Sequence, residues 1–126
     1  MSRVSHASNW FEIAVTEMDR AARFYETVLG APIRRDSPNY TGKQVAILPY
    51  EEPGSGGALV HDPKRTPGGG GSLVYLNVNG KLDACIARVA AAGGTVLAPK
   101  VDIGPAGFIA IVRDSEGNTV GLHSER

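Results

Sequence analysis

The sequence holds one cysteine, Cys85, so no disulfide can form within the chain. That usage suits a reducing compartment. No apolar run approaches the roughly 20 residues that a membrane helix needs. The stretch from Met1 to Trp10 lacks the apolar centre of a secretory leader. Neither sign of charge is in excess, since 13 Lys and Arg balance 13 Asp and Glu. Nothing therefore steers nucleic acid or an anionic membrane to this surface. These absences lead us to expect a cytoplasmic protein with no nucleic-acid partner and no membrane partner.

What is present is a chain of 126 residues, 42% of them hydrophobic, which is enough for one domain with a core of its own. Two segments carry apolar residues at helical spacing. The first runs from Met18 to Leu29 and stops at Gly30, with Pro32 beyond it. The second runs from Leu82 to Ala92 and stops at Gly93-Gly94. A short strand-like run precedes each helix, Phe11 to Val15 and then Leu73 to Val78. Three more follow each. In the first half they lie near Pro32 to Asp36, Gln44 to Leu48 and Gly57 to His61. In the second they lie near Thr95 to Ile103, Phe108 to Arg113 and Thr119 to His123. The run Asp114-Ser115-Glu116-Gly117-Asn118 is a hairpin turn between the last two.

The halves match under one shift of 63 positions: Val15 meets Val78, Gly30 meets Gly93, Leu48 meets Ile111, Gly54 meets Gly117 and Leu59 meets Leu122. A single shift that aligns both glycine stops and the apolar strand positions points to an internal duplication. The expected fold is α+β, two tandem βαβββ modules over about 9–62 and 72–124. The Pro- and Gly-rich linker 62–72 joins them. Each half carries a half-exposed sheet, so the halves should need one another for cover.

The segment Val15-Thr16-Glu17-Met18-Asp19-Arg20-Ala21-Ala22-Arg23-Phe24-Tyr25 with Leu29-Gly30 resembles the opening motif of glyoxalase-like proteins. Asp114-Ser115-Glu116-Gly117-Asn118 with Leu122 resembles their closing hairpin. Together the motifs span nearly the whole chain and resemble the vicinal-oxygen-chelate superfamily of glyoxalases, bleomycin-resistance proteins and dioxygenases. Asn9 to Ile13 and Gly107 to Ile111 look like the group of predicted enzymes related to lactoylglutathione lyase. The resemblance implies a cup-shaped pair of modules, a small-molecule ligand and a homodimer. In metal-dependent relatives it also implies a divalent cation held by four inward strand positions.

Those positions fall here on Trp10, Ala58, Leu73 and Gly121, none of which can ligate a metal through its side chain. A slip of one residue would turn the wrong face inward. A slip of two lands on Glu12, Tyr75 and His123. On that reading Glu12 is a buried general base with a raised pKa, and His123 is an acid, a base or a weak metal partner of Glu12. Tyr75 would donate a hydrogen bond to substrate, and Trp10 and Phe108 would line the mouth of the cup. Other readings stay open: Glu12 as the partner of an arginine at the sheet edge, His123 as a surface histidine, and Tyr75, Trp10 and Phe108 as packed aromatics. His6 lies in a polar lead-in. The loop Gly104 to Gly107 could close over the cup. No cofactor follows from the residues themselves, and a divalent metal at a shifted site stays open. Three functions fit: a lyase- or isomerase-type enzyme with a rebuilt site, a binding or sequestration protein, and a scaffold with a filled cup. An enzyme calls for a buried Glu12 facing a pocket. A binder calls for an aromatic groove without a poised carboxylate.

Overall fold

The computed structural model describes residues 8–36 and 42–126; His6 lies outside the described residues. The first half contains β1 (Trp10–Ala14), α1 (Met18–Leu29), β2 (Arg34–Arg35), β3 (Gln44–Ile47) and β4 (Gly56–His61). The second contains β5 (Tyr75–Asn77), α2 (Leu82–Arg88), β6 (Thr95–Asp102), β7 (Phe108–Arg113) and β8 (Thr119–Ser124). A short 3-10 turn, Gly104–Ala106, joins β6 to β7. The two sheets have the same strand order, β1-β4-β3-β2 and β5-β8-β7-β6, with the first strand of each parallel to its neighbour and the rest antiparallel. The duplication read from the sequence is thus present as two similar βαβββ units.

Helix α1 forms where the pattern places it. The Glu17 side chain accepts a hydrogen bond from the Asp19 N–H and caps the start. Gly30 ends the helix in the left-handed region at φ 69°, a conformation that costs glycine little. Met18, Ala21, Phe24, Tyr25 and Val28 make its buried stripe. Helix α2 is shorter than the expected span to Ala92. After Arg88 the chain tightens into turns, with Val89 N–H bonding to the Ile86 carbonyl and Gly93 N–H to the Ala90 carbonyl.

The core is continuous across both halves. Phe24, Tyr25, Leu59 and Val28 from the first share one cluster with Leu76, Cys85, Val89, Val112 and Leu122 from the second. The helices, rather than a second sheet, cover the inner face of each sheet. On the opposite faces strand alternation decides what is carried; on the first sheet Ile47, Ala58 and Val60 form a second, smaller buried cluster there, while the edge strand β1 stays open. On β1, Phe11 and Ile13 turn toward the core while Trp10, Glu12 and Ala14 turn away. On β5 and β8, Leu76 and Leu122 turn inward while Tyr75, Gly121 and His123 turn away. Among the described residues, no helix is long and apolar enough to cross a membrane.

Candidate functional site

The sheet faces turned away from the helices carry the candidate residues. Trp10 pairs across to Gly56, Glu12 to Ala58 and Tyr75 to Gly121. Two glycines let aromatic rings lie flat on the sheets. A Cβ on Gly121 would stand 2.3 Å from the Tyr75 ring, and one on Gly56 would stand 2.4 Å from the Tyr50 ring. Trp10 meets Tyr50 edge-on, with ring centroids 5.8 Å apart. Trp10, Tyr50, Leu73 and Tyr75 remain 41%, 37%, 43% and 46% exposed, which is unusual for four large side chains near one site. Beside them lies a cavity of about 630 Å³, walled by Tyr50, Leu73 and Tyr75 and floored by Phe11, Leu29 and Leu48. Its polar lining includes Glu51 and Asn77.

Glu12 shares the open face with Trp10 but is not buried. β1 is the edge strand of its sheet, so the carboxylate reaches solvent, and Arg65 of the linker donates to it at 2.7 Å. The expectation of a buried carboxylate is corrected by this placement, and the alternative of an arginine partner at the sheet edge is what the structure shows. His123 is half-buried in the other sheet, with Nε2 2.7 Å from the Ala106 carbonyl. Its ring thereby pins the Gly104–Ala106 turn, the segment considered as a closing loop.

Phe108 is corrected as well. Ile109 pairs with His123 and Ile111 with Gly121, so Phe108 takes the opposite face of β7. There it packs against the core under Lys100, whose ammonium lies 4.7 Å from the ring centroid. Tyr50, by contrast, was not found from the sequence. It lies in the loop after β3, outside any strand alternation. The one signal is the small pair Gly56-Gly57 that follows, which leaves room for a ring.

The donor set does not fit a metal. The four positions hold Trp10, Ala58, Leu73 and Gly121, and the Tyr75 ring lies across the last of them. No group of three His, Cys, Asp or Glu side chains able to hold a metal occurs among the described residues. What the site offers is aromatic surface with a few hydrogen-bonding groups.

A family model described as the Glyoxalase/Bleomycin resistance protein/Dioxygenase superfamily matches residues 7–122. The chain belongs to that superfamily. Among solved structures of this superfamily, a glyoxalase/bleomycin resistance protein from Albidiferax ferrireducens superposes with a TM-score of 0.74, covering 96% of this chain and all of that one, at 18% identity. TnmS3, an antibiotic binding protein from Streptomyces, superposes with a TM-score of 0.66 at 26% identity and covers 98% of both chains. Among curated relatives, CFP32 of Mycobacterium tuberculosis is 31% identical over 108 residues, 86% of this chain. The chain spans only 40% of the length of that relative.

Proposed function

We propose that this superfamily member binds a planar, largely apolar small molecule against Trp10, Tyr50 and Tyr75 and holds it without a metal. The observation that carries the reading is the Tyr75 ring laid over Gly121, where a metal ligand would project in metal-dependent relatives, with the Tyr50 ring over Gly56 beside it. The likeness to an antibiotic binding protein at 26% identity supports it. An isomerase or lyase related to lactoylglutathione lyase is the competing reading. It is less favoured because its two candidate groups are engaged elsewhere, Glu12 by Arg65 and His123 by Ala106. The single buried thiol, Cys85, favours a cytoplasmic setting for the bound complex.

Trp10 is the only tryptophan, so its fluorescence reports on the site directly. Titration with planar aromatic compounds should change its emission and raise the melting temperature. Tyr75→Ala should weaken that binding about tenfold, roughly 1.4 kcal/mol. Its own melting temperature should stay near wild type, because Tyr75 is exposed. Equal binding by the Tyr75→Ala variant would overturn the reading.

A further inference from the structure

The duplicated fold places a turn of the same kind in each half, and only one of the two turns carries an acid that reaches the helix start of the other half. The turn between β7 and β8 reaches across to the first half. There Glu116 accepts hydrogen bonds from the Thr16 and Glu17 N–H groups at 2.9 and 2.8 Å and pairs with Arg20 at 2.6 Å. Its side chain is fully enclosed. The matching turn between β3 and β4 shares one backbone bond with it: Gly54 N–H bonds to the Glu51 carbonyl as Gly117 N–H bonds to the Asp114 carbonyl. Under the shift of 63, however, Glu116 falls on Pro53, which carries no acceptor side chain.

A cavity of about 490 Å³ lies at that second turn, with Pro49, Tyr50 and Glu51 on one side and Asn77, Asn79 and Lys81 on the other. It shares Leu29, Pro49, Tyr50, Glu51 and Asn77 with the aromatic cavity, so the two form one groove. The backbone at this second cavity is already satisfied. Asn79 N–H bonds to Asn77 Oδ1 and Gly80 N–H to Ser124 Oγ. The donors left to a ligand are therefore side chains. Asn77 Oδ1 is taken by Asn79 N–H, and Asn79 Oδ1 by Glu125 N–H, which leaves both amide NH₂ groups as donors beside the Lys81 ammonium. Glu51 is the one carboxylate in the lining.

We infer that the groove selects an aromatic carboxylate, with its ring against Tyr50 and Tyr75 and its anionic end in the second cavity, paired with Lys81. The inference rests on the binding reading above and adds the polarity of the ligand. Three matched probes test it by calorimetry and Trp10 fluorescence: 2-naphthoate, neutral 2-naphthamide and 2-naphthylmethylammonium. The wild type should bind the carboxylate about tenfold tighter than the amide, a gap typical of one charge-assisted contact. Lys81→Gln should bring the two within about twofold of each other, again by the loss of one such contact. Lys81 is exposed, so the variant should melt with the wild type. Equal binding of carboxylate and amide by the wild type would overturn the polarity and leave the aromatic site standing. Tighter binding of the ammonium would overturn it in favour of Glu51. No binding of any probe would overturn both.

Discussion

At the scale of single residues, two glycines, one just before β7 and one on β8, make opposite predictions. Gly107 sits at φ 108°, and a Cβ there would stand 2.2 Å from the Ser124 carbonyl oxygen, a backbone atom that cannot yield. Gly107→Ala should cost about 2 kcal/mol or more and lower the melting temperature by roughly 5–10 °C. At Gly121 the atoms nearest to an added Cβ belong to the exposed Tyr75 ring, which can swing aside. Gly121→Ala should melt near wild type but bind planar ligands more weakly. Parallel thermal melts of the two variants check the contrast, and similar losses in both would contradict it. Alternation along β1 and β5 made the shared open-face placement of Trp10, Glu12 and Tyr75 legible from the sequence. For Glu12 the pattern left two readings open, a buried base and the partner of an arginine at the sheet edge, because alternation does not say that β1 is an edge strand; Arg65 decides for the second. Phe108 was left open between the mouth of the cup and core packing for a related reason. Both faces of β7 are apolar, Phe108, Ala110 and Val112 on one and Ile109 and Ile111 on the other, so the pattern does not say which turns inward.

At the scale of elements, the clasp from the β7–β8 turn joins the halves. Asp114 accepts a hydrogen bond from the buried Tyr25 hydroxyl at 2.7 Å, and Asn118 donates to the Ala14 carbonyl at 2.7 Å. Burial of Tyr25, with the neighbouring Asp114 carboxylate, pushes the phenol well above its usual range. Desolvation tends to raise the pKa of Glu116, but hydrogen bonds from Arg20, the Glu17 and Thr16 N–H groups and Ser115 outweigh it and bring the carboxyl down to about 2. A carboxyl whose folded pKa lies below its ordinary value of 4.5 stabilises the fold fully above that value and ceases to as the pH falls toward 2. Glu116→Gln should therefore cost on the order of 2–3 kcal/mol at neutral pH. Urea denaturation should show that cost shrinking between pH 4.5 and 2. A cost that does not change with pH would contradict the assignment. The turn itself was readable from Asp114 to Asn118, but its target on α1, about a hundred positions away, was not. Local pattern carries no information about such a contact.

At the scale of the whole molecule, the internal shift of 63 made the two-unit architecture legible in the sequence. The shared core explains why neither unit stands apart from the other. The open face of the second sheet is left apolar, with Leu73, Tyr75 and Val101 exposed around half-buried Ile109 and Ile111. We propose that a second copy of the chain covers part of it, since a neutral protein meets no long-range repulsion from its copy. Light scattering at micromolar concentration should then give about twice the 13.2 kDa chain mass, and Val101→Glu should return it to one. A monomer under all conditions would contradict the proposal. The central claim concerns the site itself, where aromatic rings stand in place of metal ligands. Calorimetric titration of a planar aromatic carboxylate into chelator-treated protein, repeated with nickel, zinc or manganese, tests it most directly. The account predicts the same affinity in every case and no chemical change in the ligand. Binding that appears only with added metal, or turnover of a glyoxalase substrate under those conditions, would contradict it.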